Sequence, residues 1–285
     1  MDNPHQRDQA QLFFRLHQGP QVLVLPNAWD AASARIFEAA GFPAVATTSA
    51  GIAAALGYPD GEQISRQEML EVVERLTRTV AIPVSADIEA GYGNTLEEIA
   101  QTARLVLEAG CVGINLEDGT GDPQHPLCDI SYQVEKIHAI RAVADAAGIH
   151  LFINARTDVF FREVGGATDR MEQALRRGNA YREAGADGIY YMDASGREMI
   201  ARLVKETQAP VNILAGPGAL PVQELAALGV ARVSVGQYPM RATLALIQKM
   251  ARELLDLGTY TSMAQDAFDY TRVNQLFDRR AQNDS

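Results

Sequence analysis

The chain has 285 residues, of which 47% are hydrophobic and 21% charged, a composition typical of a globular protein. Its net charge is −11 and it has no basic run, which argues against nucleic acid or an anionic membrane as partner. The first 20 residues lack the apolar core of a signal peptide, and no window approaches the ~18 apolar residues of a membrane span. Cys111 and Cys128 are not in a metal-binding spacing, so we expect a cytoplasmic protein.

Eight apolar segments predict strands, and helical patterns lie between most of them. The segments are 22–27, 44–49, 83–89, 113–118, 151–157, 188–193, 210–214 and 232–236. Four helix-to-strand junctions share a glycine in the position that ends a helix in the left-handed conformation, namely Gly41, Gly110, Gly185 and Gly229. Two of the predicted helices begin with capping boxes, Ser65 with Glu68 and Thr95 with Glu98.

This alternation predicts the fold. Continuous apolar strands separated by helices indicate a parallel sheet that helices cover on both faces. Eight such units in ~250 residues predict an α/β fold of the TIM (β/α)8-barrel type. An open doubly wound sheet is the alternative, but no G-x-G-x-x-G motif follows the first strand. We predict one domain over 1–285, with the barrel at about 20–255, a helical extension at about 256–285, and an extra helix at about 262–279.

Carboxylates gather at the carboxyl ends of the predicted strands, where barrel enzymes have their active sites. Asp87, Glu89 and Glu117 follow strands, and Asp60 lies in a nearby loop. Like charges at one mouth resist joint ionisation, a conflict that a divalent cation relieves, and oxygen ligands fit Mg²⁺ or Mn²⁺ rather than Zn²⁺. Because strand side chains alternate, Asp87 and Glu89 are expected to share a face. The alternative is that the acids at the strand ends cap the following helices or pair with arginines.

Five motifs, in order, resemble the phosphoenolpyruvate mutase/isocitrate lyase superfamily over roughly residues 20–280. They are TTSAG (47–51), LGYPDG (56–61), DIEAGYGN (87–94), INLEDG (114–119) and INARTD (153–158), of which the third resembles the metal motif D-x-D-T-G-Y-G-N. The resemblance implies a Mg²⁺-dependent α/β barrel that acts on small 2-oxo or 2-hydroxy carboxylates. It also implies a homo-oligomer, a dimer or a tetramer, in which the last helix packs on a neighbour's barrel.

The resemblance also implies roles for individual residues. Asp87 is implied as the direct metal ligand, with three carboxylates that orient metal-bound water, Asp60, Glu89 and Glu117. Arg156 is implied as the grip on the substrate carboxylate, beside a cradle of amides and a hydroxyl from Ser49, Ala50 and Gly51. We further predict catalytic roles for Arg156 and Glu117 and substrate binding by Asn212. His125 is a candidate acid or base, with an exposed loop histidine as the alternative.

The chain departs from the superfamily's lyases in the loop after the fourth predicted strand. Those lyases have a catalytic cysteine in a K-[KR]-C-G-H loop, whereas this loop reads EDGTGDPQHPLCDI. We therefore interpret Cys128 as structural or incidental. The loop is also shorter than in the mutases, which argues against phosphoryl transfer. The pair Tyr190-Tyr191, with Met192, either shapes the pocket or serves barrel packing, and we expect packing for one of the two tyrosines.

The sequence thus predicts a Mg²⁺-dependent lyase. It would cleave a C–C bond in a small 2-oxo or 2-hydroxy di- or tricarboxylate, by retro-aldol cleavage, decarboxylation or hydrolysis, through an enolate that the metal stabilises. One alternative is C–P chemistry of the phosphonopyruvate hydrolase or phosphoenolpyruvate mutase type, with the GPG segment (216–218) offering amides to a phosphoryl group. Another is a non-catalytic protein that binds a 2-oxo acid. The expected partner is a small carboxylate, with no nucleic acid and no membrane.

Overall fold

The computed structural model describes residues 4–265 and 267–278, in which nine strands form one parallel sheet. The strands are β1 (Leu23–Leu25), β2 (Asn27–Ala28), β3 (Val45–Thr47), β4 (Val84–Asp87), β5 (Gly113–Glu117), β6 (Phe152–Thr157), β7 (Gly188–Tyr191), β8 (Val211–Leu214) and β9 (Arg232–Ser234). Their order in the sheet is β1-β9-β8-β7-β6-β5-β4-β3-β2. Most of these strands are buried on both faces, as expected of a parallel sheet wrapped by helices.

The helices are α1 (Pro4–Leu16), α2 (Ala31–Ala39), α3 (Ser49–Leu56), α4 (Arg66–Thr77), α5 (Leu96–Glu108), α6 (Ile130–Ala147), α7 (Ala167–Glu183), α8 (Arg197–Glu206), α9 (Val222–Ala227), α10 (Tyr238–Leu257), α11 (Thr261–Ala264) and α12 (Tyr270–Phe277). The predicted capping boxes open α4 and α5, and the four junction glycines have φ between +86° and +101°. In the part of the chain that the structure describes, each helix is too short or too polar to cross a bilayer.

The sheet curls into a nearly closed barrel because the first predicted strand is divided between its two edges. Pro26, which has no N–H to donate, separates β1 from β2. β1 pairs with β9, with Leu23 opposite Arg232, whereas β2 pairs with β3, with Asn27 opposite Ala46. The predicted (β/α)8 barrel is therefore confirmed, and the predicted strands agree with the observed ones to within about two residues at either end.

Helix α1 closes the amino-terminal end of the barrel. Its Gln6 Nε2 donates to the carbonyl oxygen of Cys111 at 2.9 Å, just before β5. The His17 ring, directly after the helix, stacks on Phe152 at 3.9 Å between ring centroids, and Phe13 meets Phe152 edge-on at 5.5 Å. The barrel thus has an aromatic layer at its closed end, while the opposite end stays open.

The carboxyl-terminal extension differs from the prediction of one helix at 262–279. Two short helices, α11 and α12, take its place, and residues 266 and 279 lie outside the described residues. α12 lies against α2 of the same chain, where Arg35 Nε donates to the carbonyl oxygen of Leu276 at 2.7 Å. The preceding α10 buries only Met240 and exposes several leucines.

The buried His17 generates a prediction for stability against pH. Burial, followed by the charge of Arg232, lowers the pKa of His17 from 6.5 to about 3. The unfolded chain therefore binds this proton below pH 6.5 while the native protein does not, so stability falls as the pH falls. Between pH 7.5 and 5.5 this histidine should cost about 1.4 kcal/mol.

Urea unfolding at both pH values measures this loss. His17→Phe keeps an aromatic ring on Phe152 and should reduce the loss by about that amount, whereas His138→Gln, on the exposed face of α6, is the control. An unchanged pH dependence in His17→Phe would show that His17 does not govern acid sensitivity.

Candidate active site

A cavity of about 230 Å³ opens at the carboxyl ends of the strands, where the sequence predicted the site. The predicted residues that line it are Ser49, Ala50, Asp60, Asp87, Glu89, Glu117 and Arg156. They come from the ends of β4, β5 and β6 and from the segment that follows β3. The barrel therefore brings together residues that lie more than 100 positions apart in the chain.

Gly51 and Asn212 do not line the cavity. A Cβ at position 51 would stand 2.6 Å from Thr48 Cγ2 and 2.8 Å from Trp29 Cβ, so this glycine permits close packing of α3. Asn212 is buried in the barrel interior, where its Nδ2 donates to Ser234 Oγ at 3.1 Å. Both residues support the site from behind its surface.

Asp87 is held through one of its two carboxylate oxygens. Its Oδ2 accepts from the Ser49 amide at 3.1 Å and from Ser49 Oγ at 2.9 Å. Its Oδ1 is buried and has no partner among residues 4–265 and 267–278. A fixed carboxylate with one free oxygen is the kind of ligand that a hard divalent cation takes. The donor set of the cavity thus fits Mg²⁺ at Asp87.

Glu89 reaches the cavity by a route that the sequence did not predict. β4 ends at Asp87, and Glu89 has φ 49°, so the expected alternation of the two acids along one strand was wrong. Its Oε1 accepts from the Tyr92 hydroxyl at 2.8 Å and its Oε2 from the Glu62 amide at 2.7 Å. Burial raises the pKa of Glu89 to about 7, against the lowering effect of the Tyr92 hydrogen bond. Glu89 is thus held by its own loop and by the loop after α3.

Arg156 lies between two carboxylates. Its Nε and Nη2 donate to the two oxygens of Asp158 at 2.6 and 3.0 Å, and its Nη1 lies 2.8 Å from Glu117 Oε2. Burial raises the pKa of Glu117, and the Arg156 guanidinium opposes that rise. These contacts fix the guanidinium plane, which is what bidentate carboxylate binding requires.

The four acids do not form a complete metal site in this conformation. Across the described ranges, no group of three or more His, Cys, Asp or Glu side chains is arranged to hold a metal ion. Glu89 and Glu117 are engaged with Tyr92 and Arg156, as given above. Burial raises the pKa of Asp60, and the negative charge of Asp87 raises it further. A bound cation would compensate this charge. The arrangement could hold a cation directly at Asp87, with the other three acids acting through water.

The loop after β5 is a closed hairpin. Gly119 and Leu127 form an antiparallel bridge, and the Thr120 amide donates to the Pro126 carbonyl oxygen at 3.2 Å. His125 lies at the tip, 80% exposed, with its Nδ1 3.1 Å from Asp122 Oδ2. The structure therefore does not bring His125 to the cavity. Cys128 is half-buried, and its Sγ contacts Gln133 Oε1 at 3.6 Å.

A buried network that the sequence analysis missed anchors this hairpin. Asp118 Oδ2 accepts from the Tyr181 hydroxyl at 2.7 Å and from Arg177 Nη1 at 3.1 Å. Arg177 Nη1 also donates to the Cys128 carbonyl oxygen at 2.9 Å. The signal in the sequence was the doublet Glu117-Asp118, since strand alternation turns the second acid away from the barrel interior. Asp118 is thus structural, whereas Glu117 lines the cavity.

Half of the cavity wall lies outside the predicted site residues, and only Tyr190 and Met192 of this half were considered as pocket residues from the sequence. This half comes from the ends of β7, β8 and β9 and includes Tyr190, Met192, Asp193, Leu214, Ser234, Gln237, Tyr238 and Arg241. Tyr190 lines the cavity, whereas Tyr191 packs outward against Gly178 and hydrogen-bonds to Thr207 at 2.7 Å. The prediction that one of the two tyrosines serves packing is confirmed. Asn115, on the cavity floor, was quoted within a motif but given no role.

A nearly closed α/β barrel with an acidic, arginine-containing cavity at the carboxyl ends of its strands has the active-site position of an α/β-barrel enzyme. A family model described as phosphoenolpyruvate phosphomutase matches residues 13–255. The chain belongs to this family, as the five motifs predicted.

Three relatives illustrate the family. An uncharacterized protein of Mycobacterium tuberculosis (strain H37Rv) is 36% identical over 86% of this chain and 89% of its own. A 2,3-dimethylmalate lyase of Eubacterium barkeri is 31% identical over 84% of this chain and 81% of its own. A 2-methylisocitrate lyase of Salmonella typhimurium is 30% identical over 77% of this chain and 75% of its own. The protein is thus an enzyme of the isocitrate lyase/phosphoenolpyruvate mutase superfamily, and these names place it with the carbon–carbon lyases.

Solved structures share the fold. A candidate lyase/mutase from Burkholderia cenocepacia J2315 has a TM-score of 0.90 at 37% identity, covering 97% of this chain and 98% of that one. Phosphonopyruvate hydrolase, in complex with oxalate and Mg²⁺, has a TM-score of 0.84 at 24% identity, with 97% of each chain covered. The second likeness concerns the fold alone.

The Asp118 network generates a prediction for stability. Arg177→Met removes the cation beside a fully buried carboxylate and should destabilise the protein by about 3 kcal/mol. Urea unfolding measures the change, and Arg176→Met, at an exposed position of the same helix, is the matched control. Equal stability of the two variants would contradict the anchoring role of Arg177.

Proposed function

We propose that the protein is a Mg²⁺-dependent lyase that cleaves a C–C bond in a small 2-oxo or 2-hydroxy di- or tricarboxylate. The observation that carries the proposal is Asp87, a buried carboxylate with one oxygen fixed by Ser49 and the other without a partner among the described residues. It lines the same cavity as Arg156. A cavity of about 230 Å³ suits a ligand of few heavy atoms.

Arg156 and the start of α3 would bind the substrate. The guanidinium of Arg156 is held in plane by Asp158 and offers its remaining N–H groups to a carboxylate. Ala50 belongs to the first turn of α3, where backbone N–H groups are free of helical partners and favour anions, while the Ser49 N–H and Oγ donate to Asp87. Together they would orient one carboxylate and the neighbouring 2-oxygen.

A bound Mg²⁺ would supply the Lewis acidity that stabilises the charge developing on the 2-oxygen when the C–C bond breaks. Asp87 would hold the ion, with Asp60, Glu89 and Glu117 supporting it through water. Glu117 would also hold and return a proton, since burial raises its pKa while Arg156 fixes its position. His125 has no role in this proposal because it lies exposed at the tip of the hairpin.

The relatives support carbon chemistry over phosphorus chemistry. Two of them are named for 2,3-dimethylmalate and 2-methylisocitrate, which are substrates of the proposed class. In the described structure, residues 216–218 do not line the cavity, and a Cβ at Gly216 would stand 2.2 Å from the Tyr238 ring. The GPG segment therefore packs against a side chain and offers little support for a phosphoryl cradle.

The catalytic proposal is tested with a product screen by NMR in Mg²⁺. The substrates are oxaloacetate, 2-methylisocitrate, isocitrate, dimethylmalate and phosphonopyruvate. Asp87→Asn should lower turnover by more than about 100-fold, since it removes the metal-binding charge and keeps the shape. Asp122→Asn, in the exposed hairpin, is the matched control. Undiminished turnover by Asp87→Asn would refute the proposal. Turnover of phosphonopyruvate alone would support C–P chemistry. Binding of oxalate without turnover of any substrate would support a binding protein.

We also propose a homo-oligomer, a dimer or a tetramer, in the reducing cytoplasm. Leu255 and Leu257 of α10 are 86% and 72% exposed, and a cluster of exposed leucines of this kind is typical of a subunit contact. Both cysteines are free thiols, which suits that compartment.

Light scattering after gel filtration tests the oligomer. Leu255→Glu places a charge in the exposed leucine cluster and should shift the mass toward a smaller species, whereas Lys205→Glu, on the exposed face of α8, should not. A wild-type protein with the mass of one chain would rule out the oligomer.

A further inference from the structure

A buried arginine that has no carboxylate partner among the described residues lies in the barrel interior, beneath the cavity. Arg232 is 1% exposed, and its Nη2 donates to Asn115 Oδ1 at 3.1 Å. Its Nε and Nη1 have no hydrogen-bond partner in the part of the chain that is described. Burial lowers the pKa of Arg232 to about 10, so the side chain still carries its charge at neutral pH.

Such a group is costly to the fold. A buried charge without a counter-ion loses its hydration and gains little in return, and an apolar residue of similar volume is often as stable or more so. Residues that break a rule of stability in this way tend to serve a functional site. Asp87, which lines the cavity, is a carboxylate whose charge acts on Arg232.

Arg232 determines how Asn115 is oriented. Asn115 Oδ1 accepts from Arg232 Nη2 and also from Asn154 Nδ2 at 2.8 Å. Because arginine only donates hydrogen bonds, the atom that faces it must be the amide oxygen. Asn115 Nδ2 therefore faces away from Arg232. In the described structure both hydrogen bonds of the Asn115 side chain go to Oδ1, and Asn115 lines the cavity floor.

We propose that Asn115 contacts the substrate by donating a hydrogen bond from Nδ2 to an anionic oxygen of the ligand, a carboxylate or enolate oxygen. Arg232 is a positioning residue in this arrangement. It fixes the amide with its donor toward the cavity, and its charge polarises that donor. This inference rests on the proposed function, which supplies an anionic ligand in this cavity.

Two substitutions at Asn115 separate this role from a structural one. Asn115→Asp keeps the acceptor for Arg232 and Asn154 but removes the donor and adds a charge. Asn115→Leu removes the donor without adding a charge. A structural Asn115 would tolerate the aspartate, which gives Arg232 a counter-ion, whereas a ligand-binding Asn115 would not.

The experiment measures oxalate binding by calorimetry in Mg²⁺, together with urea unfolding of every variant. We expect Asn115→Asp and Asn115→Leu to weaken oxalate binding at least about tenfold, the usual effect of losing a hydrogen bond to a charged group. We expect Asn115→Asp to be as stable as the wild type. Asn179→Asp, the same change on α7 and outside the barrel, is the control.

Arg232 is tested with the same two measurements. Arg232→Met should weaken oxalate binding with no loss of stability, because it removes an unpaired buried charge. Arg232→Lys should recover part of the affinity. A less stable Arg232→Met variant that binds oxalate normally would make Arg232 structural and overturn its role.

The outcomes distinguish this inference from the function on which it rests. No oxalate binding by the wild-type protein in Mg²⁺ would overturn both. Normal binding by the wild type and by both Asn115 variants would overturn the inference and leave the proposed function standing.

Discussion

The convergence of like charges at the open end of a parallel barrel is the constraint on which the site depends. Every strand ends at the same rim, so acids that follow different strands must share one cavity. The fold accommodates them by giving each a separate partner: Ser49 for Asp87, Tyr92 for Glu89, and Arg156 for Glu117. Asp87 Oδ1 has no partner among the described residues, which leaves it available to the proposed cation. The residues that compensate the charges of the cavity are therefore also the residues proposed to bind the ligand.

The barrel could be predicted from the sequence because its signals are local. Apolar runs, left-handed glycines and capping boxes each depend on a few neighbouring residues. The exceptions involve contacts at long range. Pro26 divides the first strand because β1 and β2 face different partners, and α11 and α12 follow the surface they pack on. The hydrophobic periodicity of these segments therefore does not predict either arrangement.

The site was predictable where a motif was known and not elsewhere. Motifs identified the acids and Arg156, which come from strands on one side of the barrel. The opposite wall, with Tyr190, Leu214 and Tyr238, has no motif, and only the closed barrel shows that these residues face the same cavity. Asn115 was overlooked because its orientation depends on Arg232, which is 117 positions away in sequence. Glu89 was misassigned to a strand because its backbone is left-handed, and the next amide, that of Ala90, donates to Glu62 Oε1 in another loop.

The Asp118 network has a consequence for changing substrate preference by loop exchange. Arg177 binds both the barrel, through Asp118, and the end of the hairpin, through the Cys128 carbonyl oxygen. A transplanted loop that does not place a carbonyl oxygen where that of Cys128 lies would remove one hydrogen bond of Arg177. The contact of Arg177 with the buried Asp118 would then be disturbed as well. The graft boundaries should therefore fall inside residues 119–127, so that the tip varies while the anchored base is retained. The tip of the hairpin can thus be exchanged while its base is kept. The base is held by Arg177 of α7 and not by residues that line the cavity.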